Sequence, residues 1–247
     1  TSTKGLVVNP VQGGGNAANR VTFQSENGSA SSVVLSYAST NWDKNYTFKL
    51  NSASYITLKN ITIAATGGNY AAALMYEGNT TNDSLVGCVL TTGISTNYYF
   101  RAFDGMNMGG GNNENLVFQN NTFTGGSYGF YLQGDWSQFC MNLVIENNTF
   151  DRSVYNFVYY SLNYKFNNNT IIGNNNSYYG MYFYNAWNTA PFAGTFEAKN
   201  NKITGQTQGY GFYFDYPNGY NITPGSDRAI IANNAVSMSG TSYGYYA

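Results

Sequence analysis

The chain has 247 residues, with 11 Lys and Arg against 12 Asp and Glu, only 9% charged residues and 17% aromatics. A net charge of −1 leaves no basic footprint for nucleic acid, and no run of 18 apolar residues is present to span a bilayer. With no histidine in the chain, Ser-His-Asp, Cys-His and His-ligated zinc chemistry are excluded.

Residues 1–20 read as a lead-in, with neither the cationic nor the apolar region of a signal peptide. The numbered chain is therefore expected to be a mature protein or a segment of a longer one. The first turns of structure are expected at Val21-Thr22-Phe23, Val33-Val34-Leu35 and Thr47-Phe48-Lys49-Leu50. From Asn60 onward a repeat takes over. Asn120-Asn121-Thr122-Phe123 recurs as Asn147-Asn148-Thr149-Phe150, Asn168-Asn169-Thr170-Ile171, Asn200-Asn201-Lys202-Ile203 and Asn233-Asn234-Ala235-Val236. Asn60-Ile61-Thr62-Ile63 and Gly87-Cys88-Val89-Leu90 are weaker copies. The spacings of 27, 33, 27, 21, 32 and 33 residues lie in the range of stacked-repeat architectures.

A short alternating run precedes each copy, as in Leu116-Val117-Phe118-Gln119 and Leu143-Val144-Ile145-Glu146. Period two with charges confined to one set of positions predicts a strand with one buried face. Gly87 replaces the first Asn of the motif, which points to a left-handed backbone there. Ile61 and Cys88 replace the second, which points that position into an apolar core. Inward Asn121, Asn148, Asn169, Asn201 and Asn234 are then expected to bond amide to amide in a ladder.

A further strand follows in most coils, as in Tyr128-Gly129-Phe130-Tyr131-Leu132 and Gly180-Met181-Tyr182-Phe183-Tyr184. Three strands per coil, each stacked on its equivalent one coil away, make an all-β, parallel β-helix over residues 21–247, read as a single domain. A propeller, with four antiparallel strands per blade, fits poorly. Cys88 and Cys140 are too few for a disulfide framework and are expected to be unpaired.

The N-N-T-F corners and Y-G-F-Y-L strands resemble the right-handed parallel β-helix repeats of the pectin-lyase-like superfamily. Within it they are most similar to Asn-rich secreted and cell-surface proteins of Bacteroidota. The resemblance covers about Asn19 to Ala247 and implies an extracellular or cell-surface location. It speaks for fold more than function, because one fold hosts lyases, hydrolases and adhesins. Asp83-Ser84-Leu85 also resembles the O-glycosylation acceptor of that phylum. The last residues, Thr241 to Ala247, match the middle of an earlier coil and no capping helix is evident. Continuation of the chain, or end-to-end stacking of copies into a filament, is therefore expected.

Strict alternation places Leu74/Tyr76, Arg101/Phe103, Tyr131/Gln133, Val158/Tyr160, Tyr182/Tyr184 and Tyr213/Asp215 outward. Such an aromatic stripe offers sugar rings a stacking surface. The short connection Ser161-Leu162-Asn163 is expected to leave a notch lined by Tyr131, Tyr160, Tyr182 and Tyr184, flanked by loops carrying Trp136 and Trp187, with Tyr213 of the same stripe as a further ligand-binding residue. Polysaccharide is the expected ligand, and stabilisation of the sheet by cross-strand tyrosine stacking is the competing reading. No catalytic residue, metal or cofactor is assigned on the leading reading. The alternative is a lyase or hydrolase of an acidic glycan working with Arg101, Asp104 and Glu77. Glu77 and Asp104 would fall at one place on neighbouring coils, close enough for Ca²⁺.

Overall fold

The computed structural model describes residues 5–13, 15–108, 113–134, 139–184, 195–215 and 229–246. Each coil passes through three faces. The first carries Val21–Gln24, Ile56–Lys59, Ser84–Val86, Val117–Gln119, Cys140–Glu146, Ser161–Asn167, Phe196–Lys199 and Ala229–Ala232, neighbouring one another in that order. The second stacks Val34–Tyr37, Thr62–Ala65, Val89–Thr91, Thr122–Thr124, Thr149–Asp151 and Thr170–Ile172. The third stacks Leu6–Val8, Phe48–Asn51, Ala71–Glu77, Phe100–Asn107, Tyr128–Gln133, Tyr155–Tyr159 and Tyr179–Tyr184. Lys202–Asp215 runs along both the second and the third face and pairs with Ala235–Tyr246 beyond it. Pairing between these strands is parallel, so the molecule is a parallel β-helix. Each coil adds about 4.8 Å of rise, the spacing of hydrogen-bonded strands.

Alternation sets the inside and the outside. In Ile56–Lys59, Ile56 and Leu58 are buried while Lys59 is exposed. The inward residues stack coil on coil. Leu58, Leu85, Phe118, Ile145, Phe166 and Ala198 form one column. Ile63, Leu90, Phe123, Phe150, Ile171 and Ile203 form another. All belong to one continuous core, and each buried side chain of this size contributes roughly 1.5–3 kcal/mol. Within it Phe123 and Phe150 stack at 5.1 Å and 8°. Cys88 and Cys140 are free and buried, and burial pushes the Cys88 thiol up to about 11.

The corner between first and second faces turns on one left-handed residue per coil. Asn60, Gly87, Asn120, Asn147, Asn168, Asn200 and Asn233 all have φ between 50° and 65°. Asn and Gly tolerate that conformation; other side chains pay for it. The next residue points inward. Asn121 Nδ2 donates to Asn148 Oδ1 at 3.0 Å, Asn148 to Asn169 at 3.1 Å, Asn169 to Asn201 at 3.1 Å and Asn201 to Asn234 at 2.9 Å. Each Oδ1 also accepts the backbone N–H of the coil before, as Asn148 Oδ1 does from Asn121 at 2.9 Å. Each Nδ2 also reaches a backbone carbonyl, as Asn148 does to Phe118 at 2.9 Å. The amides are satisfied on both sides.

A second corner, between third and first faces, repeats the backbone device. Asn82, Asn115, Asn142 and Asn163 have φ of 58°, 58°, 55° and 50°. Here the left-handed asparagines bond to one another: Asn115 to Asn82 at 3.1 Å, Asn142 to Asn115 at 3.1 Å, and Asn163 to Asn142. The inward residues that follow them are Asp83, Leu116, Leu143 and Tyr164, all buried. Asp83 therefore faces the core with Leu85, while Ser84 between them is half-buried on the outward side.

Candidate functional site

The third-face strands depart from strict alternation at one point. In Tyr128-Gly129-Phe130-Tyr131, Phe130 is fully buried while Tyr128 and Tyr131, three residues apart, share the outer surface. Register shifts fall at Tyr128/Phe130 and Tyr155/Phe157. The extra inward residue is accommodated by glycine. A Cβ on Gly129 would lie 2.6 Å from Ser153 Oγ, and one on Gly180 would lie 2.5 Å from the Gly211 carbonyl. A β-bulge of this kind re-aims every side chain beyond it.

Three columns result on the outside. One is Arg101, Tyr128, Tyr155, Tyr179, Tyr210 and Tyr243. The middle one is Met75, Asp104, Tyr131, Phe157, Tyr182 and Tyr213. The third is Gln133, Tyr159, Tyr184 and Asp215. Rings meet up each column, at 5.3 Å for Tyr131–Phe157 and 4.6 Å for Tyr182–Tyr213. They also meet across columns, mostly edge to face: Tyr131–Tyr159 at 87° and Tyr159–Tyr182 at 83°. That geometry follows the ring quadrupole and adds about 0.5–1.5 kcal/mol per pair. Tyr131 and Phe157 are only 6% and 7% exposed, so the middle column is walled in by its neighbours. The face is thus an outer aromatic layer, part packing and part surface.

Several expected positions change sides. Leu74, Tyr76, Phe103 and Val158 lie in the core rather than outside. Alternation carried through the irregularities puts Leu74, Tyr76 and Phe103 one residue out of phase, and Val158 is out of phase because its own strand lacks the extra residue of its neighbours. Their places in the outer layer are taken by Tyr128, Tyr155, Tyr179, Tyr210, Phe157 and Tyr159. For Tyr128, Tyr179 and Tyr210 the signal is the spacing of two tyrosines around a Gly-apolar pair; for Tyr155, Phe157 and Tyr159 it is plain alternation. Trp136 and Trp187 lie outside the described residues.

Tyr131, Tyr160, Tyr182 and Tyr184 do come together. With Gln133 and Tyr159 they line an open cleft of about 250 Å³. Tyr160, at φ 49°, is the whole connection between Tyr155–Tyr159 and Ser161–Asn167. Its ring meets Tyr184 at 5.1 Å and 81°. Tyr213 stands one coil further on, against Tyr182. Tyr131 donates its hydroxyl to Gln133 Oε1 at 2.7 Å, and Tyr182 donates to Asp215 Oδ2 at 2.8 Å. Burial pushes the Tyr131, Tyr159 and Tyr182 hydroxyls far above the ordinary phenol range, and that of Tyr179 up to about 12. These four hydroxyls therefore stay protonated over the physiological range.

A second cavity of about 330 Å³ lies toward the N-terminal coils, lined by Trp42, Lys49, Glu77, Tyr98, Arg101 and Asp104 among others. Trp42, in the short helical turn Trp42–Lys44, is 69% exposed and drew no notice in the sequence, having no counterpart in other coils. Arg101 Nη1 pairs with Asp104 Oδ2 at 2.5 Å, and both side chains are almost wholly buried. The guanidinium also donates through Nε to the Tyr98 carbonyl at 3.0 Å and lies 4.2 Å from the centre of the Tyr98 ring. Lys49 pairs with Glu77. The expected alignment of Glu77 with Asp104 fails: Asp104 lies opposite Met75 and Glu77 opposite Asn107, across a register shift. Among the described residues no three His, Cys, Asp or Glu side chains converge as a metal site.

No protein-family model matches the chain, and no curated protein does either. Among solved structures, a pectin methylesterase from Aspergillus niger, in deglycosylated form, is similar over 95% of this chain and 73% of its own. The identity is 11% and the TM-score 0.41. At those values no residue role carries over.

Proposed function

We propose that this chain is a secreted or cell-surface β-helix module that binds polysaccharide on its third face. The observation that carries the reading is the unbroken outer layer of tyrosines, ending in a cleft lined by ring faces, hydroxyls and one amide. Apolar C–H surfaces of a sugar pack against such rings while its hydroxyls bond to the phenols. A contiguous aromatic patch on an otherwise polar protein is the usual mark of an interaction site. The low charge and the richness in Asn, Ser, Thr and Tyr accord with an extracellular surface. The reading favours binding over catalysis, because Arg101 and Lys49 are each already engaged by a carboxylate. A general base must lie within hydrogen-bond reach of the proton it abstracts, and the tyrosine cleft holds no carboxylate, lysine or arginine among its described lining residues.

Screening the protein against immobilised glycans tests this. Binding is expected to at least one polysaccharide and to be lost in Tyr160→Ala and Tyr184→Ala, with melting temperature within a few degrees of the parent. Absence of any bound glycan, or binding indifferent to both substitutions, would overturn the reading.

A further inference from the structure

The chemistry of the cleft narrows its ligand. We infer that it takes the ammonium group of an amine-bearing sugar, an inference that rests on the glycan-binding reading above. Three observations point the same way. First, the walls are π faces set at steep angles to one another: Tyr159–Tyr184 at 87°, Tyr160–Tyr184 at 81° and Tyr159–Tyr182 at 83°. Mutually perpendicular rings around one space are the arrangement by which proteins hold alkylammonium groups, through the negative face of each ring.

Second, among the described residues no Lys or Arg lines the cleft, and the charge next to it is a carboxylate. Asp215 follows Tyr184 in the third column and accepts the Tyr182 hydroxyl at 2.8 Å. A phenol that donates to a carboxylate is polarised toward phenolate, which strengthens its attraction for a cation. Third, the polar atoms are biased toward acceptance. The protons of Tyr131 and Tyr182 are spent on Gln133 and Asp215, leaving oxygen lone pairs to receive N–H donors. An acidic sugar meets the opposite of what it needs here: no cation and a nearby carboxylate. A neutral sugar gains the stacking and its hydroxyl hydrogen bonds, but no cation–π contact.

The experiment compares glucosamine tetramers with their N-acetylated counterparts, which share linkage and length but differ in charge. Affinity is read by calorimetry at acid pH, where the free amine is protonated, and again above neutrality. The amine form is expected to bind about fivefold more tightly, a ratio set by one cation–π contact at a solvent-accessible site. That advantage is expected to disappear above neutrality, in Asp215→Asn, and in Tyr184→Ala, and to survive in Tyr184→Phe, which keeps the ring face. Equal or tighter binding of the acetylated form would overturn the inference and leave the glycan-binding reading standing. Failure of both tetramers to bind would overturn it too, and the broader reading would then depend on the glycan screen. An advantage that survives Tyr184→Ala would place the amine somewhere other than this cleft.

Discussion

The two asparagine corners use the same backbone and differ in what lies behind it. At both, a left-handed Asn turns the chain and the next residue points into the core. Between first and second faces that residue is an amide from Asn121 to Asn234, and the amides of Asn148, Asn169 and Asn201 are bonded above, below and to the backbone. Between third and first faces it is Asp83, then Leu116, Leu143 and Tyr164. Asp83 Oδ1 accepts the Ile56 N–H at 2.7 Å as a ladder asparagine would, but its Oδ2 has no partner. The left-handed residue thus makes the corner, and the inward one decides whether the corner stabilises. A carboxyl in place of an amide keeps the acceptor and forfeits the donor.

Asp83→Asn should give the largest effect, and it should depend on pH. Burial lifts the Asp83 carboxyl from 3.8 to about 8, against the Ile56 hydrogen bond and the Arg20 charge, which pull it down. An acid whose folded pKa exceeds its unfolded one costs nothing below the unfolded value. Above it, folding must take up a proton, and stability falls until the folded value is passed. The parent is therefore expected to lose stability between about pH 4 and pH 8 through this group, by on the order of 3–5 kcal/mol. Asparagine removes that loss and supplies an Nδ2. By ladder geometry that nitrogen faces the Ala53 carbonyl, three residues before the aligned Ile56. Urea unfolding at a series of pH values measures it. A variant no more stable than the parent at pH 8 would mean the carboxyl is not isolated in the core.

The reverse exchange belongs in the other corner. Asn148→Asp replaces a donor that serves the Phe118 carbonyl and Asn169 Oδ1 with an acceptor, and should cost about 3 kcal/mol at neutral pH. The loss should ease in acid, where a protonated carboxyl can donate again. Asn148→Ala, which leaves the Asn121 N–H without its acceptor, should cost about 2 kcal/mol with little dependence on pH. An unchanged melting temperature in both would mean the amide column contributes nothing net.

The corners were largely legible because their cause is local. Only Asn and Gly sit comfortably at positive φ, so Gly87 in place of Asn120 announces the backbone, and Ile61 and Cys88 announce the core. The second corner is harder to read because Asn82, Asn115, Asn142 and Asn163 stand alone, followed by Asp83, Leu116, Leu143 and Tyr164 rather than by a second asparagine. The aromatic face was legible in composition and misplaced in detail. A bulge is invisible to period-two counting, so alternation alone puts Phe103 outward and leaves Tyr128 and Tyr179 unassigned. Aligning Tyr155–Tyr159, which has no bulge, with its bulged neighbours puts Val158 outward as well. The buried glycines of Tyr-Gly-Phe-Tyr were the available clue, since a glycine between large residues signals backbone pressed against backbone. Neither the Arg101–Asp104 pair nor the exposure of Trp42 follows from any repeat, because both arise where one coil departs from the others.

The smallest effects should separate the turning residue from the bonded one. Asn142 holds φ 55° and its Nδ2 donates to Asn115 at 3.1 Å in an exposed chain of amides. Asn142→Gly keeps the conformation and loses only solvent-exposed hydrogen bonds, so its cost should stay within about 0.5 kcal/mol. Asn142→Ala must force a Cβ into the left-handed region and should cost about 1–2 kcal/mol. Near-equal losses for glycine and alanine would mean that the outer amide chain, rather than the left-handed backbone, holds this corner. The two corners would then be alike in mechanism, differing only in which side of the wall the amides occupy.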